Sequence, residues 1–173
     1  LLTLYVMIVL GLTMGMQPIV GYNFGAQKID RVKQTLKLGI VSGVVITSSG
    51  FFICELFPHA VSAIFTDSDH LIDLAVDGLR ITVIMFPFVG AQIVIGNFFQ
   101  SIGKAKISIF LSLTRQLLYL LPCLLLFPNW WGLKGIWISM PVSDALAFIT
   151  AVVSLIIYIK KVSPCTSHFA CIS

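Results

Sequence analysis

Three side-chain amides lie in a stretch that has no charged residue from Ile81 to Gly103. At helical spacing Asn97 and Gln100 share one face, and Gln92 lies near it. Amides in such an apolar stretch have to face protein or water rather than lipid. They could line a cavity that binds a polar solute, or they could join two helices by hydrogen bonds.

An arginine lies well inside a later apolar run. Arg115 is followed by Gln116, and Tyr119 lies one turn further on. An arginine at the centre of a membrane costs about 2.5–3.5 kcal/mol, so it needs a reason to be there. It could snorkel to the nearest interface, make a structural pair, or face a cavity. In a cavity we expect it to hold a polar network or a carboxylate on another helix rather than a cationic solute. The candidate cavity residues are Gln92, Asn97, Gln100, Arg115 and Tyr119.

Other chemically active side chains form no catalytic or metal-binding pattern. The four cysteines have no CxxC spacing, and the Asp67-Ser-Asp69 segment lacks the glycine and closing glutamate of a calcium loop. Glu55 and Asp144 lie near the ends of apolar runs, where a carboxylate usually reaches water. Because no cluster of His, Asp and Ser occurs within an apolar run, we expect neither an enzyme, a metal nor an organic cofactor.

The elements that carry these residues are apolar runs long enough to cross a bilayer. The chain is 58% hydrophobic and only 10% charged, whereas a soluble domain is about 25% charged. Its mean hydropathy is +1.01. The pattern predicts an all-α integral membrane protein with five transmembrane helices, embedded in lipid. The predicted spans are about 1–21, 36–57, 79–103, 107–127 and 136–159, and a short polar tail is predicted for 163–173.

Small residues and prolines shape these spans. Two small-residue pairs, Gly11 with Gly15 and Gly39 with Gly43, predict close helix packing. Pro87 is expected to break the third span near its middle. Residues 26–37 predict an amphipathic helical segment that leads into the second span, residues 103–106 a basic turn, and residues 128–135 another short turn.

Basic residues collect at one side of the predicted topology. Eight of them fall there: Lys28, Arg31, Lys33, Lys37, Lys104, Lys106, Lys160 and Lys161. Only Arg80 and Lys134 fall on the other side. The positive-inside rule therefore predicts that the chain starts outside and ends in the cytoplasm. The net charge of +4 follows this topological pattern, so we expect no nucleic-acid partner.

The exit of the first span carries a family resemblance. The string Gln17-Pro-Ile-Val-Gly-Tyr-Asn-Phe-Gly25-Ala resembles a motif of multidrug and toxic compound extrusion (MATE) transporters. Its motif residues are Gln17, Pro18, Gly21, Asn23, Gly25 and Ala26. Later strings agree in order, namely Phe99 to Lys106, Arg115-Gln116 with Pro122, Gly132 to Trp137, and Pro141 to Asp144. Together they look most like the bacterial MepA-like drug-export branch. At Gly25 we expect either a positive φ or a close backbone approach.

The resemblance implies a partial C-terminal lobe, residues 1–162, of a twelve-helix transporter that lacks its first lobe and seventh helix here. It further implies a secondary active antiporter of the bacterial plasma membrane that exchanges H⁺ or Na⁺ for organic, often cationic, drugs by alternating access. Since no carboxylate occurs from Gly78 to Ser143, the coupling carboxylate is expected in the missing half. The alternatives are a related flippase of lipid-linked sugars, favoured by a larger cation-lined cavity, and an inert truncated membrane fragment.

Overall fold

Every regular element in the described part of the chain is a helix. The computed structural model describes residues 2–59 and 69–162. The elements are α1 (Leu2–Gly25), α2 (Ile29–Leu56), α3 (Asp69–Val83), α4 (Phe86–Ser101), α5 (Ala105–Leu113), a π-helical segment (Thr114–Leu120) and α6 (Leu121–Val162). The predicted polar tail lies outside the described residues.

Within residues 2–59 and 69–162, four helical stretches are long and apolar enough to cross a membrane: Leu2–Gly25, Ile29–Leu56, Ala105–Pro128 and Gly135–Lys160. The predicted third span, 79–103, is instead divided into α3 and α4. The break falls at Ile84 and Met85, and Pro87 lies in the first turn of α4. Proline fits there because a backbone N–H in the first turn has no partner within the helix.

The basic segment after α1 belongs to a long helix. The span predicted to begin at 36 begins at Ile29, so the amphipathic segment forms the first turns of α2. The two helices are joined by only three residues. At this junction the Lys28 N–H donates to the Asn23 carbonyl at 2.9 Å, and the Gln27 N–H donates to the Phe24 carbonyl at 3.1 Å. This pair of bonds is the Schellman arrangement that ends many helices.

The prediction for Gly25 is wrong in both of its forms. Gly25 is still helical, and a Cβ there would meet no described atom within 4 Å. The positive φ, 57°, falls at Gln27, because α1 continues through Gly25 before its carbonyls are capped. The same pair of bonds ends α4, where Gly103 takes the equivalent position with φ 75°. The turn after α4 thus has glycine, which suits a positive φ, at this position, whereas the turn after α1 has Gln27 there.

The core is built by α1, α2 and α4 around small residues. Gly90 of α4 crosses Gly43 of α2 so closely that a Cβ on Gly90 would lie 2.5 Å from the Gly43 carbonyl oxygen and 2.6 Å from the Thr47 hydroxyl. The Thr47 hydroxyl also reaches the Pro87 carbonyl at 3.2 Å. By contrast, a Cβ on Gly11 or Gly15 would meet nothing within 4 Å in the described chain. Of the two predicted small-residue pairs, only Gly39 with Gly43 lies at a helix contact within the described residues.

The last three elements form a hairpin that packs against this core. The chain reverses at Gly132, whose φ of 55° and ψ of −135° interrupt α6. Beyond it, Gly135 lies against the backbone of Phe127. The turn predicted over 128–135 is therefore a break centred on one residue between two helical stretches. Leu111 of α5 and the α6 residues Ala151 and Leu155 extend the core begun by α1, α2 and α4.

The two ends of the bundle carry different charges. At one end, a Cβ on Gly21 would lie 3.4 Å from the Ser101 carbonyl oxygen, so α1 and α4 end side by side. The start of α2 and the end of α6 share a groove there, between Lys33 and Ile159. This end therefore collects the turns and helix termini that carry most of the basic residues. At the other end Arg80 Nε lies 4.0 Å from Glu55 Oε1.

Candidate functional site: two cavities beside an intramembrane ion pair

Arg115 and Asp144 form an ion pair inside the bundle. The Arg115 Nε donates to Asp144 Oδ1 at 2.9 Å, and Nη2 lies 2.8 Å from the same oxygen. The Asp144 side chain is 16% exposed and that of Arg115 34%. Charges removed from water need such a partner, because an unpaired charge within a span is costly. The chain reverses direction at Gly132, within α6. The part of α6 after this residue carries Asp144 and runs back along the π-helical segment that carries Arg115.

Arg115 lies in an unusual stretch of helix. Residues Thr114–Leu120 are π-helical, whereas α5 before them and α6 after them are α-helical. Short π-helical insertions within α-helices are rare and occur frequently at functional sites. Further along the segment, the hydroxyls of Tyr119 and Thr150 lie 2.8 Å apart. The segment is thus tied to α6 at two levels, by an ion pair and by a hydroxyl contact.

A polar cavity of about 240 Å³ lies on one side of Arg115. Its lining residues are Leu10, Gln92, Ile93, Gly96, Asn97, Gln100, Ser108, Leu111, Ser112, Arg115 and Gln116. The Gln92 side chain is almost fully buried, and its Oε1 has no hydrogen-bond partner among the described atoms. A buried acceptor without a donor costs about 1–3 kcal/mol. Seven of the eleven lining residues have polar side chains, so the cavity is suited to water or to a polar solute.

A second cavity, of about 310 Å³, lies on the other side of the ion pair. Its lining residues are Leu2, Val6, Thr82, Phe86, Val89, Arg115, Gln116, Leu120, Met140, Ser143 and Asp144. Most of these side chains are apolar. Because Arg115 and Gln116 line both cavities, they form the partition between them. The site as a whole places two chambers beside one guanidinium: the polar chamber, and a second one with six apolar side chains among eleven, here called the apolar chamber.

The structure brings together four of the five candidate cavity residues. Gln92, Asn97, Gln100 and Arg115 all line the polar cavity. Asn97 also joins two helices by a hydrogen bond, the second role considered for these amides, since its Oδ1 accepts a bond from Gln17 Nε2 of α1 at 3.3 Å. The fifth candidate, Tyr119, lines neither of the two cavities and contacts Thr150 instead.

Sequence reasoning left Asp144 and two serines out of the candidate site. Asp144 is the first carboxylate after Asp77, so charge balance against Arg115 could have indicated it. Ser108 and Ser112 are spaced i, i+4 on α5, on the face that continues to Arg115. Their alignment with Gln92 of α4 depends on how the two helices pack, and no pattern in the chain shows that.

The motif residues of α1 serve the helix end rather than the cavities. The Asn23 Nδ2 donates to the Ile19 carbonyl at 2.8 Å, and the Ala26 N–H donates to the Tyr22 carbonyl at 2.9 Å. Gln17 is the member that reaches α4, through Asn97. Among the residues that the structure describes, no group of three or more His, Cys, Asp or Glu side chains is placed to hold a metal ion.

A bundle of apolar helices enclosing polar cavities and an ion pair defines a multi-pass membrane protein of the transporter type. The family model MatE matches residues 1–125, which is most of the chain. The chain therefore belongs to the MATE family of multidrug efflux transporters.

Named relatives agree with this assignment. Multidrug export protein MepA of Staphylococcus aureus (strain MSSA476) is 25% identical over 156 residues, which cover 90% of this chain and 34% of MepA. The MepA of Staphylococcus haemolyticus (strain JCSC1435) is 24% identical over 140 residues, covering 81% of this chain and 30% of that protein. The chain thus spans about a third of the length of these relatives.

Solved structures share the fold. The MATE multidrug transporter DinF-BH, solved in complex with a ligand, has a TM-score of 0.82 and 38% identity, covering 87% of this chain and 34% of its own. An inward-facing MATE transporter of the MOP superfamily has a TM-score of 0.87 at 19% identity, covering 94% of this chain and 38% of its own. The MATE fold expected from the sequence is confirmed.

Proposed function

We propose that this chain is part of a secondary active multidrug exporter that exchanges H⁺ or Na⁺ for organic, often cationic, drugs by alternating access. The observation that carries the proposal is the ion pair between Arg115 and Asp144, whose arginine lines both a polar cavity and a more apolar one within the spans. The relatives named for multidrug export support the substrate class. The proposed location is the bacterial plasma membrane, with the end of the chain in the cytoplasm.

The two cavities suit an amphipathic solute. The apolar chamber offers Val6, Phe86 and Met140 to a hydrophobic body. The polar chamber offers amide and hydroxyl groups, such as those of Gln100 and Ser112, to its hydrogen-bonding groups. In this proposal Arg115 does not bind a cationic drug. It holds Asp144 and so stabilises one of two arrangements of the hairpin and the core.

The alternative flippase function fits the charges less well. A carrier of anionic sugar–lipid head groups would need uncompensated positive charge in its cavity. Arg115 is the only cation among the described residues that line the two cavities, and Asp144 neutralises it. The charge balance therefore favours export of neutral or cationic solutes.

Ion coupling is proposed to reside outside this chain. Asp144 is the carboxylate that lines a described cavity, and a guanidinium already neutralises it at 2.8 Å. A carboxylate committed to such a pair is poorly suited to loading and releasing an ion at each cycle. We propose that the coupling carboxylate lies in the N-terminal lobe of the complete transporter. No cofactor other than H⁺ or Na⁺ is invoked.

The test is energy-dependent efflux of a fluorescent cationic dye from cells that express the complete transporter, normalised to its membrane level. We expect Arg115→Ala to reduce efflux and Arg115→Lys, which keeps the charge but loses the planar fork, to retain part of it. Lys104→Gln removes a cation outside both cavities and is the matched control. Absence of energy-dependent efflux in the unaltered transporter would refute the exporter. If the Arg115→Ala variant exports the dye at the rate of the unaltered transporter, Arg115 is not part of the functional site.

A further inference from the structure

A groove of about 250 Å³ lies between the start of α2 and the end of α6 and shares no lining residue with the two cavities. Its lining residues are Lys33, Leu36, Lys37, Ile40, Val41, Leu155 and Ile159. The floor is apolar and buried at Leu36 and Leu155, while Val41 is 52% exposed at the rim. Both α2 and this part of α6 are long and apolar enough to cross a membrane, so the groove lies between two candidate membrane spans.

Two lysines that make no ion pair within 4.0 Å in the described chain lie at the mouth of this groove. Lys33 and Lys37 are one helical turn apart, and both are exposed. In the described part of the chain, the ion pairs within 4.0 Å involve Arg80 and Arg115 and neither of these lysines. Lys160, also exposed, directly follows the groove residue Ile159. The mouth is therefore a compact cationic site above an apolar slot.

The two lysines lie in the first third of a helix that is long enough to cross a bilayer. At 1.5 Å per residue, Lys37 lies about 12 Å and Val41 about 18 Å along α2 from its first residue. A lysine side chain at this depth extends its ammonium toward the interface while its stem stays in apolar surroundings. The groove then continues below the ammonium groups as a hydrophobic channel for a chain of methylenes.

We propose that this groove binds one anionic phospholipid, with its phosphate between Lys33 and Lys37 and an acyl chain along Leu36, Val41 and Leu155. Charge complementarity selects the head group, and the apolar slot selects the lipid over a soluble anion. Basic pockets between membrane helices recognise anionic lipids in this way. The inference does not depend on what the transporter exports.

The test is native mass spectrometry of the protein, expressed from its own gene and purified in equal amounts of phosphatidylglycerol and phosphatidylcholine. We expect phosphatidylglycerol to be retained in preference to phosphatidylcholine. The Lys33→Gln/Lys37→Gln variant should retain about 10- to 30-fold less phosphatidylglycerol, since each lysine near an anionic surface contributes roughly a factor of five. The matched control is Lys104→Gln/Lys106→Gln, which removes two exposed cations at the same end of the bundle but outside the groove.

A second variant tests the apolar slot while both lysines stay in place. Val41→Trp fills the groove from its exposed rim and should also abolish the preference for phosphatidylglycerol; Val41→Phe replaces it if the tryptophan variant fails to fold. If the Lys104→Gln/Lys106→Gln control loses as much phosphatidylglycerol as the Lys33→Gln/Lys37→Gln variant, retention reflects general surface electrostatics, and the proposed site is wrong. Retention in the filled groove would overturn the acyl-chain assignment. Absence of any preference in the unaltered protein would mean that another segment covers the groove, which also overturns the proposal.

Discussion

The guanidinium of Arg115 contacts a single oxygen of Asp144 through two nitrogens, at 2.9 Å and 2.8 Å, although 29 residues separate the two side chains. The contact joins the π-helical segment to α6, and Arg115 lines both of the cavities beside it. Each residue alone would be a charge held away from water without a partner. Each side chain is therefore expected to stabilise the folded protein only while the other is present, and the free energies of unfolding of single and double variants measure this coupling.

Removing both members of the pair should cost less than the sum of the two single removals. We expect Arg115→Ala and Asp144→Ala each to destabilise the protein by about 2–3 kcal/mol, below the value for a fully buried pair because Arg115 keeps some contact with solvent. The double variant should recover at least about 1 kcal/mol relative to the sum of the single variants. Equilibrium unfolding in mixed micelles measures these differences. Strictly additive effects would show that the two side chains do not stabilise one another.

Gly90 should tolerate no added side chain. A Cβ there would lie 2.5 Å from the Gly43 carbonyl oxygen and 2.6 Å from Thr47, so α2 and α4 would have to separate. We expect Gly90→Ala to destabilise the protein by about 1–3 kcal/mol and to lower the yield of folded protein. Gly96→Ala on the same helix is the control, because its Cβ would meet nothing within 4 Å in the described chain. Equal yields for the two variants, measured by size-exclusion chromatography, would contradict the close crossing of the helices.

Gln27 is a position where glycine should improve the protein. Its φ of 57° is strained for a residue with a Cβ, and Gly103 occupies the equivalent position after α4. We expect Gln27→Gly to raise the free energy of unfolding by up to about 1 kcal/mol. Gln27→Val should lower it, because a β-branched side chain disfavours positive φ. Thermal unfolding of the three proteins measures these differences. A lower free energy of unfolding in Gln27→Gly would contradict the prediction, because the Gln27 side chain would then contribute more stability than its positive φ costs.

The orientation of the bundle can be tested by thiol labelling. A single cysteine at Asp69 should react with an impermeant reagent added outside intact cells, and one at Lys104 should react only after the membrane is opened. The background for both is the protein with its four native cysteines replaced. The reason is the excess of basic residues at the end of the bundle that contains Lys104. The opposite labelling pattern would invert the proposed topology.

Much of the fold was accessible from the sequence because hydrophobicity acts segment by segment. A run of about twenty apolar residues crosses a bilayer whatever its neighbours do, since its backbone bonds are satisfied within the helix. The helical class was therefore predictable from apolar runs, and the MATE family from the contiguous motif that begins at Gln17. The shift of the positive φ from Gly25 to Gln27 was not, because the end of α1 depends on which carbonyls its last turn leaves to be capped.

The candidate site was only partly predictable for a related reason. The amides of α4 share a face by simple helical periodicity, so their grouping in one cavity follows from the chain. Their relation to Arg115 depends on the rotation of the π-helical segment and on the packing of α5 against α4. The pairing with Asp144 depends on the reversal at Gly132.

The sequence by itself determined the apolar spans, the side on which the basic residues collect, and the family, because each is a property of local composition or of a contiguous motif. The tertiary structure alone decided which side chains meet. It gave Arg115 its carboxylate, left the Gln92 Oε1 without a partner, and set Lys33 and Lys37 at the mouth of an apolar groove. The physical reason is that contacts between helices depend on their relative rotation and register, which are fixed by packing around residues such as Gly43 and Gly90.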